Sequence, residues 1–344
     1  MDPAGPKPSG IMSAIRRAVS FLALLGMLAT ASACAQSPLK LPLTFQHNIQ
    51  LPRDSGPPAI DLLTFDSRNH RLYVPHGSNN AMDILDTSSE KYIGSVLDLP
   101  GVKGIALSAD PNIVFTSNGS DGSVSIVDVS AMKILGNIKL GTSADAIAYD
   151  PVDGIVIVSI EGDTLAFIDE KTRKEAGKLP LGGKPELMAV NPQNGQVYLA
   201  INDKDRVVLV DPVSRSILKT YKGCDIKSPT GLVFDPDQQR LFVANAIPHS
   251  ANVVSVVDVL LDRCLGSVDI DHSPDQATFN GHLHHMYTAN AGSNNVSVID
   301  TVSLKPLGVI GTGRQAGTIA ADASSDLIFV AVARAGLIAI YHDP

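Results

Sequence analysis

An aspartate at the end of a short apolar run recurs through this chain at a spacing that leaves few folds open. It lies in ILDT at Asp86, IVDV at Asp128, FIDE at Asp169, LVDP at Asp211, VVDV at Asp258 and VIDT at Asp300, in steps of 42, 41, 42, 47 and 42 residues. A further step of 42 reaches His342 in IAIYHDP, two residues before the last. Seven repeats of about forty residues match the period of four-stranded propeller blades. The unit is clearest in MYTANAGSNNVSVIDTVSLKPLGVIGTG, residues 286–313. Residues 286–290 read as a strand, 291–294 as a turn and 295–300 as a second strand in which Val296 and Val298 alternate with polar neighbours. Residues 301–304 turn again, and a third strand begins at Gly308. Period-two alternation between Gly, Ser, Asn and Pro is a hairpin pattern. One such unit cannot bury both faces, so it needs neighbours of its own kind.

The preceding strand repeats in phase as RLYVPH, IVFTSN, IVIVSI, QVYLAI, RLFVAN, HMYTAN and IFVAV. With FTSN ending at Asn118, FVAN at Asn245 and YTAN at Asn290, the chain resembles the YVTN or YncE-like β-propeller repeats of bacterial and archaeal envelope proteins. SPTGLVFDPDQQRLFVAN, residues 228–245, is the fullest match. The reading is therefore all-β, a seven-bladed β-propeller with blades at 59–101, 102–142, 143–183, 184–227, 228–272, 273–314 and 315–344. The last repeat supplies three strands, and LTFQHNIQL at 43–51 resembles an outermost strand. The N-terminal strand is thus expected to pair into the last blade and close the ring.

Arg16 and Arg17, the apolar run 18–30 and the small residues 31–35 describe a cleaved export signal. Met12 is its natural start, with 1–11 as an upstream extension. That leaves 36–344 as one propeller domain, periplasmic, secreted or at the cell surface. Cleavage before Cys34 would give a lipidated N-terminus and the only tie to a membrane; cleavage after Ala35 would leave it free. Loss of Lys7, Arg16, Arg17 and Asp2 moves the net charge from −8 to −10. So acidic a protein is unsuited to nucleic acid, although some members of the resembled family have been linked to single-stranded DNA. Cys224 falls in the link between blades four and five and Cys264 in the outer strand of blade five. These positions are expected near opposite faces of the blade, as two free thiols. The cysteine that the resembled family often pairs at the end of the next YVTN-like strand is absent, since that region reads Asn245-Ala246.

Each innermost strand of a propeller begins at the channel mouth. The position four residues before its FD-like end carries Asp61, Lys103, Asp145, Glu186, Thr230, Asp275 and Gly317. Like charges held together recruit a cation or raise one another's pKa. Asp61, Asp145, Glu186 and Asp275 are therefore candidates for Ca²⁺ or another divalent ion, or for a cationic ligand. The alternative is a wide, water-filled mouth where each is separately solvated or paired with Lys103. Turns and strand ends at the same face add His76, Asn118, Asn245, His249 and Asn290, and the link into blade seven adds Arg314. His249 lies in the 246–250 insertion of blade five. On the opposite face, GHLHHMY offers His282, His284 and His285. Adjacent residues of a strand point to opposite sides, so at most two converge on a Zn²⁺, Ni²⁺ or Cu²⁺ ion. Solvent-exposed turn histidines are the simpler reading.

No phosphate-binding loop, G-x-S-x-G elbow or H-E-x-x-H occurs. The absence of Trp counts against a quinoprotein propeller, whose blades carry Trp docking motifs. The function expected is a monomeric, non-enzymatic binding or scaffold protein whose mouth takes a protein, peptide, glycan or small ligand. The alternative is a metal-dependent hydrolase of lactonase type using the same carboxylates with Asn118, Asn245 and Asn290.

Overall fold

The computed structural model describes residues 42–344 except His249 and Ala251. Among these, seven four-stranded antiparallel sheets follow one another in chain order, each built from consecutive strands except the last. In that blade Thr44–Gln50 lies beside Leu337–His342, which pairs in turn with Leu327–Val332 and Thr318–Asp322. The N-terminal strand therefore closes the ring. Three single 3-10 turns, Gly77–Asn79, Asn202–Lys204 and Ala333–Ala335, are the helical elements among the described residues.

The aspartates that reveal the repeat are turn builders. Asp86, Asp128, Asp169, Asp211, Asp258 and Asp300 each accept a backbone N–H two or three residues on, at 2.7, 2.9, 2.6, 2.9, 2.9 and 2.7 Å. Such side-chain bonds fix the tight turn into the outermost strand. Asp66, Asp150, Asn191, Asp235, Asn280 and Asp322 do the same at the end of the innermost strand, each from the residue two positions on. The aromatic of each blade's second strand is the core residue. Tyr73, Phe115, Tyr198, Phe242, Tyr287 and Phe329 are all buried, with Ile157 in blade three. Each packs against an adjacent blade, so the core is a ring of inter-blade layers rather than one centre. Six large rings at this position let a chain with few aromatics fill seven layers, with Val, Ile and Leu doing the rest.

The outermost strand bulges once in every blade. Gly94, Gly136, Gly177, Gly266 and Gly308 each stand beside the slip in register, with Lys219 in blade four. The slip between Phe45 and His47 puts Thr44–Gln50 in the same pattern. An extra residue bends and twists the strand.

Cys224 and Cys264 form a disulfide, with Cα atoms 5.4 Å apart, and are not the two free thiols expected from their positions. The link that carries Cys224 does not stay at the rim. It drops along the outer edge of blade five, where the Asp225 carboxylate accepts from the Ser267 hydroxyl at 2.9 Å. Cys264 stands next to the bulge that pairs Val256 with Gly266 and Val257 with Cys264. The bridge closes a separation of 40 residues. Cys264→Ser should lower stability by about 3 kcal/mol. Guanidinium unfolding of the variant and of the oxidised parent would show it, and equal midpoints would mean the bridge constrains nothing.

Candidate functional site

The innermost strands explain why the sequence ring is a ring. In blades two to six the ladder to the second strand slips at the mouth: between Val102 and Gly104, Ala144 and Ile147, Pro185 and Met188, Pro229 and Leu232, and Pro274 and Ala277. Lys103, Asp145, Glu186, Thr230 and Asp275 fall inside those slips. A bulge re-aims a side chain and releases backbone groups from the ladder. The released groups stitch neighbouring blades together: Leu62 N–H donates to the Lys103 carbonyl at 3.0 Å, and Gln276 N–H to the Gly317 carbonyl at 3.0 Å. The Thr230 hydroxyl donates to the Pro274 carbonyl at 3.0 Å.

The structure brings the ring charges into one field. Lys103 Nζ lies 3.0 Å from Asp61 Oδ2, and Lys184 Nζ lies 2.5 Å from Glu186 Oε1. Lys184 was not among the sequence candidates; its only signal is its place two residues before Glu186. Asp145 is exposed, and among the described residues neither it nor Asp275 forms an ion pair. Burial pushes the Asp275 carboxyl up to about 7, with Asp61, Glu186 and Asp145 adding to the rise and Lys103 opposing it. Burial also raises Asp61, against the pull of Lys103. Gly317 leaves Asp275 its room, since a Cβ there would stand 3.2 Å from Asp275 Oδ2.

Two cavities open at this rim. One of about 360 Å³ lies between blades one and two, lined by Asp61, Lys103, Ser78, Ser120 and the backbone of Gly77, Gly101 and Gly119. The other, about 160 Å³, lies between blades three and four with Asp145, Glu161 and Lys184. Below them the channel narrows to about 100 Å³ among Leu62, Ile105, Ile147, Met188, Leu232 and Gln276. A ligand at the mouth would meet charge at the rim and, beneath it, a narrow throat whose open surface is more polar than apolar, with Thr64 and Gln276 among the aliphatic side chains. Among the described residues no three His, Cys, Asp or Glu side chains stand close enough to hold one metal ion.

Other sequence candidates lie elsewhere. Asn118, Asn245 and Asn290 are fully buried and do not open onto the face. Each amide donates across its own hairpin, to Ser125, Ser255 and Ser297 at 2.7, 2.9 and 2.8 Å. The asparagine that ends the second strand in these blades thus ties it to the third. His76 holds the same place in blade one and is equally buried, between Asp83 and Asp54. Arg314 is exposed in the link into blade seven. His249 lies outside the described residues. The histidine cluster is dispersed: His282 meets Asp326 at 3.1 Å, His285 meets Asp343 at 2.7 Å, and His284 sits in the turn at φ 56°.

The fold and rim define a seven-bladed β-propeller with an acidic mouth. No known family pattern matches the chain, and no curated protein matches its sequence. Among solved structures it is similar to Kuenenia stuttgartiensis hydrazine synthase, with a TM-score of 0.74 and 14% identity over 84% of this chain and 96% of that one. At that identity the likeness is one of fold, and a propeller fold hosts many functions.

Proposed function

We propose that this protein is an exported, YncE-like binding propeller whose mouth takes a positively charged group, an amine or guanidinium, presented by a peptide or protein partner. The observation that carries this reading is the bulge-placed set Asp145, Glu186 and Asp275 beside Asp61. These four carboxylates are matched by two ammonium groups, Lys103 and Lys184. A cation entering the rim replaces the missing charge and favours the ionised form of Asp275, whose carboxyl is held up at about 7 by burial, helped by its like-charged neighbours. The glycine-lined cavity beside Asp61, about 360 Å³, has room for a side chain that carries such a group. The Cys224–Cys264 bridge supports an oxidising compartment, in keeping with the signal-like N-terminal sequence.

Trilysine is a suitable probe, titrated by calorimetry at low salt. Asp145→Asn with Asp275→Asn should weaken it about tenfold, or about 1.4 kcal/mol. Affinity should also rise with pH through about 7, because the cation favours ionised Asp275. Identical binding by parent and variant would remove the mouth as the site. A metal-dependent hydrolase is the second reading, favoured by a carboxyl poised near neutrality at Asp275. It requires a divalent ion that survives purification and a turnover that chelator abolishes.

A further inference from the structure

Blade one departs from its neighbours beneath the mouth. Where blades two, five and six place a neutral Asn and Ser, it places His76 and Asp83, and neither side chain is exposed to solvent. His76 Nδ1 lies 2.7 Å from Asp83 Oδ2, and Nε2 lies 2.9 Å from Asp54 Oδ1. A carboxylate only accepts, so two such contacts require a proton on both ring nitrogens. Asp83 belongs to the blade itself and is held on its other oxygen by the Ser95 hydroxyl at 2.5 Å. Asp54 is different. It comes from residues 51–60, which run from the ring-closing strand to the innermost strand of blade one.

That connecting segment is strapped over the Gly77–Asn79 turn by polar contacts. Ser55 N–H donates to Asn79 Oδ1 at 2.8 Å, the Ser55 hydroxyl to the Ser78 carbonyl, and the Asn79 amide to the Arg53 carbonyl at 3.3 Å. The Ser78 hydroxyl shares Asp54 Oδ1 with the histidine at 2.6 Å. Asp54, 18% exposed, is the point where the strap meets a charge.

We propose that His76 is a proton-operated latch: the imidazolium holds the strap at residues 53–59 down on blade one, and loss of its proton releases the strap. The charged groups facing the ring are Asp83 from the third strand and Asp54 from the strap; Ser95 supports Asp83, and the neutral Asn79 amide nitrogen, 3.3 Å from Nδ1, donates to the Arg53 carbonyl and makes no hydrogen bond to a protonated Nδ1. When the ring loses one proton, one carboxylate faces a lone pair. Asp83 is buried and fixed, so Asp54 is the one that moves. Both hydrogen bonds raise the His76 pKa against its burial, and Ser78 and His76 lower that of Asp54. A raised histidine pKa gives stability that is complete below the unfolded value of 6.5 and is lost as pH rises through the folded one. Release is therefore an alkaline event. Ala59, Asp61, Gly77 and Ser78 all line the rim cavity, so a lifted strap loosens one of its walls. The latch can be tested with no ligand present.

The experiment is nitrogen-15 NMR of His76 with amide exchange of Ser55, whose N–H donates to Asn79 Oδ1, and of the other non-proline residues of the strap, corrected for intrinsic rates, from about pH 6 to about pH 10. Both ring nitrogens should carry protons at about pH 7, and strap protection should fall at least tenfold as His76 titrates. His76→Asn with Asp83→Ser copies the neutral pair of blade two and should show no step. Should that variant fail to fold, Asp54→Asn decides. It should lower the His76 pKa and move the loss of protection to lower pH with it. A neutral ring at about pH 7 would overturn the latch. So would unchanged strap protection through the titration, a step that persists in the double variant, or an Asp54→Asn profile identical to the parent.

Discussion

A chain that begins at Leu51 should lose cooperative monomeric folding. The deletion removes the whole fourth strand of blade seven, Thr44–Gln50, with its six register partners on Leu337–His342. Leu43 and Ile49, both buried, leave with it. Two such side chains are worth about 3–6 kcal/mol, and the lost ladder adds to that. The sum approaches the ~5–15 kcal/mol that holds a typical domain. Leu337–His342 would then be an open, apolar edge, which invites pairing with another chain. Size-exclusion chromatography and thermal unfolding should therefore show aggregation and a broadened or absent transition, and a peptide of residues 42–51 added in trans should restore the monomer. A truncated chain that stays monomeric with the parent melting point would mean that closure contributes nothing.

That the strand could be placed from sequence follows from what the repeat encodes. Turns ask for particular residues, so Asp86, Asp128 and their equivalents kept the period visible, and the missing seventh outer strand could be counted. The bulges ask for none. Lys103, Asp145, Glu186, Thr230 and Asp275 share a backbone conformation but not a chemistry, so the alignment could place these residues on the mouth without showing what aims them. Asn118, Asn245 and Asn290 misled for the opposite reason. A polar residue at the end of an apolar strand looks like a rim group, yet the hydroxyls of Ser125, Ser255 and Ser297 make each a satisfied interior donor. The disulfide was hidden because it depends on the path of a link, and nothing in residues 222–228 states that they drop along the blade edge.

Replacing Gln276 by Leu should destabilise the ring at its closure. This side chain crosses from blade six to both neighbours of the seam. Its Oε1 accepts from Leu63 N–H at 3.1 Å in blade one and from Ile319 N–H at 3.0 Å in blade seven, while its Nε2 donates to the Leu63 carbonyl at 2.9 Å. These neighbours need it because their ladders differ. In blade one the innermost strand is only Thr64–Asp66, and blade seven lacks the slip seen in blades two to six. Leucine fills similar space but leaves three backbone groups without partners, at about 1–3 kcal/mol each, or about 5 kcal/mol together. Glutamate separates packing from hydrogen bonding. As a carboxylate it keeps both N–H partners but sets an oxygen against the Leu63 carbonyl beside Asp275, so its folded pKa should be raised. A carboxyl raised on folding gives stability that is complete below its unfolded value of about 4.3 and is lost as pH rises through the folded one. Gln276→Glu should therefore come nearest to the parent in acid and fall away towards neutral pH, whereas Gln276→Leu should show a constant deficit. Urea unfolding at about pH 4 and about pH 8 distinguishes them. Parallel losses for both variants at the two pH values would mean that packing, and not these three hydrogen bonds, is what Gln276 contributes to the seam.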